Sequence, residues 1–158
     1  MPIEPAAPTF PRSESLARFF RMPPASLVAL PEVAALLGTS IPTFRAMLRD
    51  EGTLPPDGPI PWTEAASYVF DAWPRAQLMD ALGPDAASIF PRDFHLARVD
   101  WRIPIFILRA MEHQAAASAR GVADYVADLL YNEIQPATLG AFRDDSEFLR
   151  AFHYPVID

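Results

Sequence analysis

The clearest change of hydrophobic pattern along this chain lies between residues 98 and 134. Val99, Trp101 and Ile103 alternate with polar residues, which is the two-residue period of a half-buried strand. Pro104 suits the first turn of a helix. From there onward the apolar positions take the spacing of a helix. They are Ile107, Leu108, Met111 and Ala115, followed by Val122, Val126, Leu129, Leu130 and Ile134. The pattern predicts a short strand, a helix, a turn and a second helix.

A second patterned region begins at Leu27. Pro31 opens a predicted helix, which Gly38 ends with the usual C-terminal signal. Ser40 can cap a following helix that runs through Phe44 and Leu48, with Pro42 near its start. Two short helices joined by a glycine-containing turn predict a helix-turn-helix arrangement.

The stretch EVAALLGTSIPTFRAMLRDEGTLP, residues 32–55, makes this more specific. It resembles the DNA-binding domain of the MerR and excisionase group, in which an E-V-A-x-L-L-G-x-S segment is followed by Thr-aromatic-Arg. The resemblance implies a wing over residues 52–61, a further helix over residues 62–73, and contact with DNA by Thr43, Arg45 and Arg49. Arg45 and Arg49 lie four residues apart and share a helix face.

Two features of residues 41–61 depart from that group. An extra residue, Ile41 or Pro42, sits in the turn, and the wing carries Asp57 but no basic residue. A module that has become a docking or dimer-packing unit is therefore the alternative to one that binds DNA.

The strand–helix–turn–helix region, about 37 residues, resembles the ribbon-helix-helix family of DNA-binding proteins. In that family two copies pair their strands, and the outward side chains enter the major groove. The resemblance implies a homodimer through residues 98–134, with Arg98, Asp100 and Arg102 facing DNA. Arginine can pair with guanine and aspartate can accept from cytosine. A solvated ribbon face, or an Arg98–Asp100 pair across the dimer axis, is the alternative.

These patterns predict a mainly α protein: a winged helix-turn-helix module followed by a ribbon-helix-helix-like dimerisation module. The predicted divisions are an arm with a short helix, the winged module, a linker, the ribbon unit and a tail, over residues 1–26, 27–83, 84–97, 98–135 and 136–158. A loop with one hydrophobic anchor, Ile89–Phe90, is expected over residues 83–93.

The two ends of the chain each allow two interpretations. The arm, with Arg12, Arg18 and Arg21, can lie against DNA or pack on the chain, and the need to bury Phe19 and Phe20 favours packing. The tail is aromatic and is expected to pack on its own dimer or to bind a protein partner.

Charge weighs against a nucleic-acid role. The chain has a formal net charge of −7, with thirteen arginines and no lysine. DNA affinity comes largely from neutralising phosphates, and residues 28–83 carry a net −4 and residues 92–136 a net −1. DNA binding would therefore depend on a few placed arginines. The all-arginine usage fits both GC-rich coding bias and a preference for bidentate recognition.

The sequence offers little for catalysis. It has no cysteine, and its three histidines, His95, His113 and His153, lack the spacing that places two metal ligands on one helix face. It has no glycine-rich phosphate loop and no G-x-S-x-G motif. We expect no enzymatic activity, no metal and no cofactor.

The apolar run near residues 103–108 is too short to span a bilayer, and the start lacks the features of a secretory signal. We therefore expect a cytoplasmic protein without a membrane partner. The preferred hypothesis is a bacterial DNA-binding protein, a dimeric transcriptional regulator. The alternative is an acidic protein-interaction factor, such as an antitoxin, anti-repressor or assembly factor.

Overall fold

The structure, a computed structural model, describes residues 7–154 and is mainly helical, as the sequence predicts. Its helices are α1 (Ser13–Phe20), α2 (Leu30–Leu36), α3 (Ile41–Asp50), α4 (Trp62–Ala72), α5 (Arg75–Leu82), α6 (Ala86–Ile89), α7 (Ile105–Ala117), α8 (Val122–Asn132), α9 (Pro136–Ala141) and α10 (Ser146–Phe152). Short 3-10 turns at Gly83–Asp85 and Arg92–Phe94 flank α6.

Two very short strands flank helices α2 and α3. Strand β1 (Leu27–Val28) precedes α2, and β2 (Ile60–Pro61) precedes α4; the two pair antiparallel. The wing predicted over residues 52–61 does not form as expected. Its one strand, β2, pairs with β1, and residues 51–59 contain no strand. Pro55, Pro56 and Pro59 explain the lack of a strand there, since proline cannot donate to a strand ladder.

A single hydrophobic cluster, the N-terminal core, joins helices α1 to α6 and the 3-10 turn at Arg92–Phe94. Its buried residues run from Leu16 to Phe94, and the largest wholly buried ones include Phe19, Phe44 and Leu36. Two indole nitrogens are satisfied by carbonyls within it: Trp62 Nε1 donates to Phe19 O at 2.9 Å, and Trp73 Nε1 donates to Leu36 O at 2.8 Å. These bonds join α4 and its end to α1 and α2.

The predicted arm packs on the chain. Leu16, Phe19 and Phe20 of α1 are buried in the N-terminal core, which confirms the packing interpretation. Ahead of the helix, the ring of Phe10 meets Trp73 edge-on, with centroids 5.0 Å apart. Residues 1–6 of the predicted arm lie outside the described residues.

The prediction of a loop over residues 83–93 is wrong, whereas its expected anchor at Phe90 is confirmed. This stretch winds into α6 and two 3-10 turns, and Ala86, Phe90 and Phe94 are buried in the N-terminal core. Phe90 and Phe94 lie 4.8 Å apart, centroid to centroid. Burial of these two rings outweighs the turn tendency of the prolines and glycine around them.

The tail packs on its own chain. Helix α10 lies against the 3-10 turn at Arg92–Phe94, and Tyr154 places its ring 5.1 to 6.0 Å from four aromatic rings of the N-terminal core. Those rings belong to Trp62, Phe70, Phe90 and Phe94. Residues 155–158 of the predicted tail lie outside the described residues.

Candidate nucleic-acid interface

The turn between α2 and α3 is built by local signals. Gly38 has a positive φ of 64°, which ends α2 in the left-handed conformation that glycine adopts readily. Ser40 then caps α3, because its side chain accepts a hydrogen bond from the backbone N–H of Thr43 at 3.3 Å. The predicted helix pair, its glycine turn and its cap are confirmed.

Helix α3 presents one buried and one open side. Phe44 and Leu48 are buried, whereas Thr43 and Arg49 are exposed and Arg45 is half-buried. Arg45 and Arg49 are one turn apart and share a flank of the exposed side. Thr43, by contrast, is two residues from Arg45, which places it roughly 200° away around the helix axis.

The hydroxyl of Thr43 also has a local partner. Its Oγ1 lies 2.8 Å from Ser40 Oγ, in the same cap that begins α3. The structure therefore brings Arg45 and Arg49 together as a candidate contact surface, with Thr43 on the other flank and engaged at the start of the helix.

Arg45 is held differently from Arg49. Its Nε is buried and has no hydrogen-bond partner in the part of the chain that the structure describes. A buried donor without a partner costs free energy, and this N–H is not accessible from the surface. Arg49 is exposed and near the C-terminal end of α3, where a cation also favours the helix dipole.

The arginines of the described residues divide into two groups. Six form ion pairs on the surface: Arg18, Arg21, Arg92, Arg120, Arg143 and Arg150. The other seven, Arg12, Arg45, Arg49, Arg75, Arg98, Arg102 and Arg109, form none with any residue between 7 and 154. All four cations that the sequence predicts to face DNA therefore keep their charge unneutralised by a neighbouring carboxylate.

The C-terminal end of α3 is acidic. Asp50 and Glu51 follow Arg49 directly. Partial burial, together with the Glu51 carboxylate, raises the pKa of Asp71, and Arg120 partly offsets this. In the segment before β2, Leu54 is 90% exposed and Asp57 is exposed, with no basic residue to hold a phosphate. Few phosphates can therefore be neutralised by side chains around α3.

The segment predicted as the ribbon strand is not part of a β-sheet in the single chain. Residues 96–104 belong to no helix and no strand, and Arg98, Asp100 and Arg102 are all exposed. The apolar residues between them are exposed as well, with Val99 at 58%, Trp101 at 53% and Ile103 at 39% of full accessibility. A strand needs a paired neighbour, and within residues 7–154 none lies beside this segment.

Helices α7 and α8 follow as predicted, over Ile105–Ala117 and Val122–Asn132. Gly121 precedes α8 with extended backbone angles and gives no side-chain cap. The turn between the helices contains Ala119 at a positive φ of 53°, the one such non-glycine residue in the described part of the chain. Arg120 in this turn pairs with Asp128 of α8.

Sequence reasoning gave no role to Arg75. Its guanidinium carbon lies 4.2 Å from the ring centroid of Phe94, a cation–π contact. A shallow cleft beside it is lined by Tyr131 of α8 and by Phe148 and Phe152 of α10. These residues come together only in the folded chain, and their spacing in the sequence does not predict the cleft.

No group of three or more histidine, aspartate and glutamate side chains within residues 7–154 is arranged to hold a metal ion. No helix in that range combines the length and apolarity needed to cross a bilayer. No protein-family model, curated protein or solved structure matches the chain.

Proposed function

We propose that the protein is a homodimeric DNA-binding protein of the transcriptional-regulator kind, in which α3 of each copy meets DNA and residues 98–134 join the two copies. The observation that carries the proposal is the pair Arg45 and Arg49 on one flank of α3, the helix that Ser40 caps. Neither arginine forms an ion pair with any described residue. Arginine in that position can read guanine or hold phosphate.

The charge balance defines what kind of binding to expect. With a net charge of −7 and acidic residues at the end of α3, few phosphates are neutralised. The salt dependence of the affinity should therefore be shallow compared with that of a basic DNA-binding domain.

The test is a gel-shift series on genomic DNA fragments at several salt concentrations, with Arg45→Ala, Arg49→Ala and the double variant. Each single change should weaken binding by roughly 1–3 kcal/mol if the contact is to a base edge. Arg18→Ala is the matched control, because it removes one arginine from α1 that is exposed and paired with Glu32 at 3.5 Å. A double variant that binds as tightly as this control contradicts the role of α3.

A second candidate, an acidic protein-interaction factor, is favoured by one observation. Most of the exposed large hydrophobic residues lie between Leu96 and Tyr131, exposed apolar side chains in number are typical of protein contact sites, and the chain is acidic. Absence of binding to every DNA fragment at low salt, together with a stable complex between this chain and another protein, would favour this second function.

A further inference from the structure

We propose that the segment 96–104 pairs antiparallel with the same segment of a second copy in one register, with Trp101 on the two-fold axis. The inference rests on the homodimer of the proposed function and specifies how its two copies recognise each other. None of the residues 96–103 forms a backbone hydrogen bond with another described residue. An unpaired backbone edge with exposed apolar side chains is a template for a further strand.

The two helices that follow this segment are also largely uncovered. Ala115 is the single buried residue of α7, and α8 has none within the described chain. Ile105 and Phe106 are 76% and 73% exposed, in the first turn of α7. Fully burying such side chains is worth about 1.5–3 kcal/mol each, so the face gains much from a covering surface.

The segment is complementary to itself, which identifies a second copy as the occupant. If Trp101 lies opposite the partner's Trp101, then Val99 lies opposite the partner's Ile103. In the same register Asp100 lies opposite the partner's Arg102, and symmetry makes each pair occur twice. Apolar residues then meet apolar ones and opposite charges meet, both of which stabilise cross-strand pairs.

The neighbouring registers fail one of these conditions. An axis on Asp100 sets Asp100 against itself and Arg98 against the partner's Arg102, which places like charges opposite each other. A shift by one residue between the strands would turn the apolar side of one strand to the polar side of the other.

An axis on Val99 keeps an Arg98–Asp100 pair across the dimer. It sets Trp101 opposite the partner's Ala97, however, and leaves Ile103 opposite a histidine. The register on Trp101 is therefore the one that satisfies both the charges and the apolar residues.

Pro104 fits the same register. It would lie opposite the partner's Arg98, at the end of the paired segment, and it has no N–H to donate. Pro104 and the partner's Arg98 must then form a non-hydrogen-bonded pair. Hydrogen-bonded and non-hydrogen-bonded pairs alternate along an antiparallel ladder, so Asp100 and the partner's Arg102, two positions away, form a non-hydrogen-bonded pair as well. Side chains approach more closely in such pairs, which strengthens the ion pair.

This register changes the role of the outward triplet. Asp100 and Arg102 serve recognition between copies, and Arg98 is the cation of the triplet that stays outside the pairing. Contact with DNA is then the task of α3.

A charge-exchange series on the full chain tests the register by sedimentation. Asp100→Arg or Arg102→Asp alone should raise the dimer dissociation constant roughly tenfold, since each creates two like-charge pairs. The double variant D100R/R102D should restore the dimer. Rescue by D100R/R98D instead would overturn the register on Trp101 in favour of the one on Val99.

Cysteine pairing gives a second measurement, because the chain has no cysteine of its own. Under mild oxidation Trp101→Cys should form a disulfide with its own copy. Val99→Cys alone should not, but a mixture of Val99→Cys and Ile103→Cys chains should cross-link. Self-cross-linking of Val99→Cys without that of Trp101→Cys would overturn the proposal. If loss of the indole in Trp101→Cys weakens the dimer, the charge-exchange series, which keeps Trp101, still tests the register.

A wild-type chain that is monomeric at about tens of micromolar, the range in which an obligate dimer persists, overturns the inference outright. The DNA measurements are independent of these. A dimer with the expected cross-links that binds no DNA contradicts the proposed function and leaves the register intact.

Discussion

The backbone of Thr9 lies directly against Gly38: the N–H of Thr9 donates a hydrogen bond to the carbonyl of Gly38 at 3.1 Å. A Cβ on Gly38 would overlap the carbonyl oxygen of Thr9 and lie 2.7 Å from its carbonyl carbon. Gly38, which lies in the turn between α2 and α3, is therefore also the point where the chain ahead of α1 is held to these two helices.

Gly38→Ala should be strongly destabilising for two reasons. The positive φ of 64° strains any residue with a side chain, and the methyl group would push Thr9 away. We expect a loss of about 2–4 kcal/mol in the free energy of unfolding, measured by chemical denaturation.

Gly58→Ala is the matched control for that change. Gly58 has open space around its Cβ position and no positive φ, so its replacement should change stability little. Equal effects of the two substitutions would show that the contact between Thr9 and Gly38 contributes nothing.

Trp62→Phe should destabilise the N-terminal core. The indole N–H donates to the carbonyl of Phe19, and both residues are buried. Phenylalanine keeps an aromatic ring but leaves that carbonyl without its partner, which costs about 1–3 kcal/mol.

Thermal and denaturant unfolding measure this cost. Ser67→Ala is the comparison, since Ser67 donates to Thr63 O on the exposed side of the same helix and its loss should be close to neutral. A Trp62→Phe protein as stable as Ser67→Ala would rule out a structural role for the indole bond.

Alkaline pH should destabilise the fold through Tyr68. Burial, and then the hydrogen bond to Glu64, raise the pKa of Tyr68 to about 12. The unfolded chain releases this proton near pH ~10, the ordinary tyrosine value, while the folded chain holds it longer. The stabilisation is complete below pH ~10 and disappears as the pH rises through about 12.

Tyr68→Phe should remove part of this dependence. The free energy of unfolding, measured between neutral and strongly alkaline pH, should fall less steeply in the variant. Burial also raises the pKa of Tyr154, so a residual dependence is expected in the same direction. A variant with an unchanged slope would indicate that Tyr68 ionises as freely in the folded chain as in the unfolded one.

Ala119→Gly should stabilise the turn between α7 and α8. Ala119 has a φ of 53°, a conformation that costs an L-residue with a side chain about 1–2 kcal/mol and glycine nothing. The greater freedom of glycine in the unfolded chain offsets part of this, so we expect a net gain of up to about 1 kcal/mol.

Ala110→Gly, in the middle of α7, supplies the opposite control. It should lose about 0.5–1 kcal/mol, because glycine destabilises a helix interior. Both variants are compared at one protein concentration, since association would shift the apparent stability. A loss of stability in both would contradict the strain assigned to Ala119.

Local signals were enough for the sequence to determine several elements. Gly38 and Ser40 define the turn between α2 and α3, and Pro104 stands immediately before α7. Each signal acts within a few residues through a cap, a backbone conformation or a missing N–H. Such effects can be read without knowing what lies elsewhere in the chain.

Features that depend on residues far apart in the sequence were decided only by the tertiary structure. The rings of Phe90 and Phe94 are buried because Phe70 and Tyr154 come to them from distant parts of the chain, and this turns an expected loop into helical turns. Which arginines keep a free charge is decided in the same way: Arg18 meets Glu32 and Arg21 meets Asp85 only in the folded chain. Burial and ion pairing depend on distances in space, whereas the hydrophobic pattern records distances along the sequence.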